Sequence, residues 1–196
     1  MTPLEFKNKW TTDTDSLSPI SLDRLKGLNL RQSTIDFLNT AGLPDSVAPY
    51  LSLVKDTSDL FDGINKLTKQ YDFLEKEYDS LVVIGADGSG NPLAINTAEE
   101  DKIVWLDHED MFSARYVNKS ISELAETFII YRDFISLIQN ENGEDAYLDA
   151  NFTDEQFATL KQKINLADSK ALIEDGFWKD ELEMMLANRQ EYLSNK

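Results

Sequence analysis

Residues 78–110 carry the strongest structural signal in the chain. They read Tyr78-Asp-Ser-Leu-Val-Val-Ile-Gly-Ala-Asp-Gly-Ser-Gly-Asn-Pro-Leu-Ala-Ile-Asn96, then Thr-Ala, then Glu99-Glu-Asp-Lys-Ile-Val-Trp-Leu-Asp-His-Glu-Asp110. Three short apolar runs are separated by a turn rich in Gly, Asn and Pro and by an acidic turn. Because such turns join antiparallel neighbours, the pattern predicts a β-meander with strands near Ser80–Gly85, Pro92–Asn96 and Lys102–Asp107.

The flanking sequence places helices on both sides of this meander. Capping-box patterns mark two helix starts, at Thr2-Pro3-Leu4-Glu5 and Ser120-Ile-Ser-Glu123, and another helix is expected to start at Thr153-Asp-Glu-Gln156. Apolar spacing predicts the other elements, which are helices over Leu28–Ala41 and Phe177–Leu193 and strands over Tyr50–Val54 and Met111–Val117. Ser58–Leu74 fits either a helix or a strand. The whole pattern indicates one α+β domain over residues 1–196, whose central, mostly antiparallel sheet is covered by N-terminal and C-terminal helices.

The charge balance bounds the kind of partner. The 196 residues include 19 basic and 36 acidic side chains, which give a formal net charge of −17. This charge repels phosphate backbones and anionic membrane surfaces, so we expect no direct nucleic-acid partner and no membrane partner. It attracts a basic protein partner. The simpler alternative, that the charge only keeps the protein soluble, stays open.

Composition also bears on the compartment. The chain contains no cysteine, which excludes disulfides and cysteine-based zinc sites. Its N-terminal residues lack the apolar core of a signal peptide, and its longest apolar runs, such as Leu81–Ile84, are too short to span a bilayer. We therefore expect a cytoplasmic protein.

No group of residues indicates catalysis. His108 is the only histidine, and its acidic neighbours cannot converge on a metal without a sharp turn, because successive strand residues point to opposite faces. We expect a solvated turn there. Asp87–Asn91 resembles part of a calcium loop but lacks its closing glutamate, which favours a hairpin turn. Gly85–Gly90 resembles a nucleotide-binding glycine loop, but its spacing is wrong and a strand follows where the phosphate-binding helix would begin. The sequence therefore predicts no catalytic residue, no metal and no cofactor.

Two further features concern aromatic and acidic side chains. Trp105 and Trp178 are expected in the core, as large aromatic side chains usually are. Acidic side chains cluster in the turns within Glu99–Asp110 and in residues 133–160, a stretch without any basic residue that we call the acidic stretch. If the fold brings both clusters to one side, that side carries a strong negative field.

Several phrases, taken in order, resemble the SUKH superfamily, whose members are similar to a yeast regulator of cell-wall synthesis. Their order and spacing hold over residues 28–140, and a tail phrase resembles one SUKH subgroup. The phrases are Phe37-Leu38 with Gly42-Leu43-Pro44, Ile84-Gly85 with the Asp87–Asn91 turn, Leu93-Ala-Ile-Asn96, Ile103–Glu109, Ser120–Leu124 and, in the tail, Gly176–Leu182.

The resemblance implies an α+β fold and, for bacterial members, an immunity protein that binds and neutralises a toxin made beside it, often a nuclease. It carries over no active site. A non-enzymatic regulatory scaffold of the cell-wall-regulator type and a small-molecule-binding module beside Gly85–Pro92 are the alternatives. For contact with a basic toxin domain we predict the exposed carboxylates of the acidic turns, which are Glu99, Glu100, Asp101, Asp107, Glu109 and Asp110.

Overall fold

The computed structural model describes residues 1–12 and 15–194. Within these residues the chain forms seven α-helices and one antiparallel sheet of seven strands. The helices are α1 (Pro3–Trp10), α2 (Leu22–Leu25), α3 (Gln32–Thr40), α4 (Leu67–Gln70), α5 (Ile121–Asn142), α6 (Asp154–Ala167) and α7 (Phe177–Ser194). The strands are β1 (Ser46–Val47), β2 (Leu51–Leu53), β3 (Asn65–Lys66), β4 (Leu81–Ala86), β5 (Pro92–Asn96), β6 (Lys102–Asp107) and β7 (Ser113–Asn118). This architecture confirms the predicted α+β fold.

The sheet has the order β1-β2-β4-β5-β6-β7, and β3 pairs with β4 on the same edge as β2. The meander β4–β7 matches the prediction, since tight turns join its strands. Only the last strand differs, because it begins at Ser113 and not at Met111. Met111 and Phe112 adopt the left-handed conformation, with φ of 49° and 57°, and they close the β6–β7 turn.

Both faces of the meander are buried, which explains why its strands read as nearly continuous apolar runs. Alternate residues such as Val82 and Ile84 join the main core beneath the helices. Their neighbours Leu81 and Val83 join a smaller core on the other face, which is covered by Leu67, Tyr71, Leu74 and Tyr78. The ambiguous Ser58–Leu74 segment therefore contains both a strand, β3, and a helix, α4.

The helix starts follow the predicted caps with one exception. At Thr2 and Thr153 the side chain and the third residue of the helix bond reciprocally, as a capping box requires. At Ser120 the hydroxyl accepts a hydrogen bond from the Ser122 amide and donates one to the Glu123 carboxylate. Helix α5 therefore begins where predicted, but the reciprocal box is wrong.

Helix α3 begins four residues later than predicted. Asn29 has a φ of 58°, so the chain turns there, and residues 28–31 form no helix. The helix ends before Gly42 as expected. Gly42 has a φ of 72°, and a Cβ there would lie 2.1 Å from the Ser18 carbonyl oxygen, so only glycine fits.

A buried polar network joins β7 to the last two helices. The Asp168 carboxylate, at the end of α6, accepts hydrogen bonds from the Tyr116 hydroxyl and the Lys119 amide, each at 2.8 Å. The Trp178 indole, fully buried as predicted, donates to the Asn118 side chain at 2.9 Å.

Among the described residues, no helix is both long and apolar enough to cross a membrane.

Candidate protein-binding surface

The two acidic turns lie at opposite ends of the sheet. The Glu99–Asp101 turn precedes β6, and the Asp107–Asp110 turn follows it. A strand of six residues is about 20 Å long. The six predicted carboxylates therefore do not form one surface. We call the end that holds the Asp87–Asn91 and Asp107–Phe112 turns the upper end of the sheet, and the other the lower end.

The acidic turn at the lower end is structural. Asp101 was expected to be exposed, but it is only 1% exposed, and its carboxylate accepts a hydrogen bond from the Arg31 amide at 2.7 Å. It thereby caps the first turn of α3, where the Arg31 side chain provides no cap. Glu100 pairs with the Arg31 guanidinium at 3.0 Å, and Glu99 pairs with Lys102. These contacts neutralise both exposed carboxylates of this turn.

The acidic turn at the upper end keeps its charge. Asp107, Glu109 and Asp110 form no ion pair within residues 1–12 and 15–194. The Asp107 carboxylate closes the turn by accepting a hydrogen bond from the Glu109 amide at 3.0 Å. Of the six predicted residues, these three are the ones whose negative charge is available to a partner.

His108 is exposed in this turn, as predicted, and it ties the two upper turns together. Its Nδ1 lies 2.7 Å from Asn91 Oδ1, and its amide donates to the same oxygen at 3.1 Å. Asp87–Asn91 is the hairpin turn that was predicted between β4 and β5. The part of the chain that the structure describes contains no group of three histidine or acidic side chains arranged to hold a metal ion.

Two exposed apolar side chains, one of them aromatic, lie directly beside the upper acidic turn. Met111 is 71% exposed and Phe73 is 70% exposed. The rings of Tyr71 and Phe73 lie 4.7 and 6.5 Å from that of Phe112, and the Tyr78 hydroxyl donates to the Met111 carbonyl at 3.1 Å. We call the exposed Phe73 and Met111, together with the half-buried Tyr71 and the buried Phe112 that they adjoin, the aromatic patch. An exposed apolar patch with a charged rim is typical of a protein-binding surface.

The groove beside Gly85–Pro92, where the sequence suggested a small-molecule site, continues from this patch. It encloses about 300 Å³, and Phe61 and Tyr71 form one wall. Phe61 is 62% exposed, so the apolar surface extends along the groove. The groove is thus an extension of the aromatic patch.

A second cleft opens on the other side of the upper end, between β6–β7 and α7. It encloses about 190 Å³ and is lined by Asp87, Trp105, Arg115, Phe177, Asp180, Glu181 and Met184. The prediction that Trp105 belongs to the core holds only in part, because its half-buried ring packs against the main core and also forms one wall of the cleft. Its indole nitrogen donates to the Asp87 carboxylate at 2.8 Å.

The charged groups of this cleft have unequal environments. The Arg115 guanidinium lies 5.2 Å from the centre of the Trp105 ring and pairs with Asp180 at 2.6 Å. Burial opposes ionisation of Asp87, but hydrogen bonds from Asn91, Trp105 and Ser89 outweigh it and lower the pKa of Asp87. Burial, followed by the charges of Asp87 and Asp180, raises the pKa of Glu181 to about 7.

Tyr147, a residue of the acidic stretch, also lies near this end. Tyr147 lines a small cavity with Tyr50 and Glu181, and a Cβ on Gly88 of the upper hairpin would lie 3.7 Å from the Tyr50 side chain. The loop after α5 therefore adds to the surface around the cleft. Arg115 and Glu181 were not predicted as functional residues, although Glu181 lies in the Gly176–Leu182 phrase that carried the family resemblance.

Comparison with known proteins decides the family. The model of the SUKH-4 immunity protein family matches residues 17–184. The chain belongs to the SUKH-4 immunity protein family. This confirms the SUKH resemblance and extends it beyond residues 28–140, on one side to α2 and on the other to the cleft residues of α7. No curated protein and no solved structure matches the chain. Membership of the SUKH-4 family supports an immunity role, and it favours binding over catalysis.

Proposed function

We propose that this SUKH-4 protein neutralises a nuclease toxin by binding its toxic domain with the upper end of the sheet. The observation that carries the proposal is the family match over residues 17–184, because it supports an immunity role for the chain. An immunity protein acts by binding its toxin, so the function depends on a surface.

The charge of the chain favours a nuclease over other toxins. A nuclease binds a phosphate backbone and therefore presents basic side chains around its active site. The chain carries a formal net charge of −17, and its unpaired carboxylates at Asp107, Glu109 and Asp110 resemble phosphates in charge. Electrostatic complementarity of this kind speeds encounter and selects the partner.

The upper end also provides apolar contact area. In protein interfaces, a few aromatic residues near the centre supply most of the binding free energy, while charged groups at the rim add specificity. Phe73 and Met111 project from the aromatic patch, and the acidic turn lies at its edge. This arrangement makes the patch the centre of the proposed interface and the turn its rim.

The proposed function can be tested with the product of the neighbouring upstream gene. The purified chain should form a stable complex with that product and suppress its cleavage of plasmid DNA or total RNA in proportion to the amount added. Failure to form a complex would contradict the proposal. A complex that suppresses a toxic activity other than nucleic-acid cleavage would leave the immunity role in place and show that the nuclease assignment is wrong.

Truncating the aromatic patch should weaken this complex. We expect Phe73→Ala and Met111→Ala each to raise the dissociation constant about tenfold, because each removes an exposed apolar anchor. Thermal stability should change little, since both side chains are exposed. Leu166→Ala is the matched control, because Leu166 is 76% exposed on α6, outside the patch. If all three variants bind the toxin as tightly as the wild type in calorimetry, the interface lies elsewhere.

A further inference from the structure

The cleft between β6–β7 and α7 contains an acidic side chain without a partner. Glu181 is half-buried there, yet its carboxylate makes no hydrogen bond or ion pair with any residue in the described part of the chain. Its near neighbour Asp87 is fully engaged, since it accepts hydrogen bonds from Trp105, Ser89 and Asn91. A half-buried carboxylate that lacks such bonds carries an uncompensated desolvation cost.

The charges around the cleft do not balance. Asp87, Asp180 and Glu181 contribute three carboxylates, and Arg115 is the one basic residue among those that line it. Arg115 already pairs with Asp180. With Glu181 ionised, the cleft therefore carries two negative charges in excess.

The walls of the cleft suit a cationic side chain rather than a bare metal ion. Arg115 shows the chemistry, because its guanidinium already lies over the Trp105 ring and ion-pairs at the same time. Phe177 and the half-exposed Met184 add apolar area for an aliphatic stem. The cleft has a volume of about 190 Å³, which leaves room for one side chain of this kind.

We propose that this cleft binds one arginine or lysine side chain presented by the toxin, with Glu181 as its ion-pair partner and with Phe177 and Met184 packing against its aliphatic stem. Only the origin of the cation in a toxin depends on the proposed function. The chemistry of the pocket depends on the contacts of the cleft alone.

Binding should strengthen as the pH rises through 7. The groups that face Glu181 are Asp87 of the β4–β5 turn, Arg115 of β7, Asp180 of its own helix, and Tyr50, Tyr131 and Tyr147 on the far side. Burial raises the pKa values of Tyr131 and Tyr147, so both hydroxyls stay neutral. Glu181, with its pKa of about 7, is mostly protonated near pH 6 and ionised near pH 8. A cation that pairs only with the ionised form should therefore bind about tenfold more tightly at the higher pH.

A small probe tests the pocket without the toxin. Nα-acetyl-L-arginine amide carries one guanidinium, and Nα-acetyl-L-citrulline amide is its uncharged isostere. In NMR titrations near pH 8, the arginine compound should shift the Trp105 indole N–H resonance with saturation and a dissociation constant of about 1–10 mM, a magnitude expected for so small a ligand. The citrulline compound should not. Equal shifts from both compounds, or no saturable shift, would overturn the proposal.

Two variants assign the effect to the carboxylate. Glu181→Gln should raise the dissociation constant of the arginine compound about tenfold and abolish its pH dependence. Glu191→Gln makes the same change on an exposed residue of the same helix and should alter neither. Unchanged thermal unfolding of Glu181→Gln shows that the fold is intact. A Glu181→Gln variant that binds like the wild type would overturn the assignment.

The probe titration and the toxin assay together separate this inference from the proposed function. If the probe binds as expected and the toxin proves not to be a nuclease, the pocket stands and only the toxin class is wrong. If the toxin is neutralised and the probe fails, the immunity function stands and the pocket is wrong.

Discussion

The double substitution Glu109→Lys/Asp110→Lys is expected to slow association with the toxin about 10- to 100-fold at low ionic strength. Both carboxylates are exposed at the upper end, and neither is neutralised by a basic neighbour within the described ranges. The two substitutions change the local charge by four units. A basic toxin domain would then meet repulsion where it now meets attraction. Asp107 is left in place, because its carboxylate closes the turn.

Association rates from stopped-flow mixing would check this result. The control is Glu155→Lys/Glu191→Lys, which makes the same change in net charge at exposed positions on α6 and α7. The control should slow association much less, and about 1 M salt should remove most of the difference by screening. Equal slowing by both variants would mean that only the net charge matters. An unchanged rate for the upper-turn variant at low salt would contradict the proposed surface.

The meander could be predicted from sequence because two independent signals agree there. Apolar runs of strand length alternate with Gly, Asn and acidic turns, and the structure places β4, β5 and β6 within a residue of the expected bounds. The start of helix α3 was harder to predict. The apolar residues from Leu28 to Ala41 suggest one helix, but Leu28 and Leu30 reach the core from an extended segment that turns at Asn29.

The functional surface could be predicted only in part, because its properties depend on contacts between distant residues. The acidic turns look alike in sequence, yet Asp101 is buried as the cap of a helix 70 residues away in the chain. Glu109 and Asp110 stay free. The aromatic patch could not be predicted because it combines Phe73 of a loop with Met111 of a distant turn, and only the fold brings them together. Sequence gives the residue types of such a surface, whereas strand direction and packing decide which of them meet.

Removing the buried carboxylate of Asp168 is expected to cause the largest loss of stability. Asp168→Ala should lower the free energy of unfolding by about 3 kcal/mol, because several buried or part-buried donors lose their acceptor together. The donors are the Tyr116 hydroxyl at 2.8 Å, the Lys119 amide at 2.8 Å, the Asn118 side-chain amide at 3.4 Å and the Lys170 amide at 3.0 Å. Urea denaturation followed by tryptophan fluorescence would measure the change.

Tyr116 provides the control that separates the network from a simple loss of packing. Burial, followed by the hydrogen bond to Asp168 and the charge of Asp168, raises the pKa of Tyr116 well above its ordinary value, so its hydroxyl remains a donor. Tyr116→Phe alone should cost about 1 kcal/mol, and in the Asp168→Ala background it should cost almost nothing, since the acceptor is already gone. Additive losses in this double-mutant cycle would show that the two residues stabilise the protein independently. A coupled result would establish that this carboxylate holds β7, the strand that carries Arg115 of the cleft, to the end of α6.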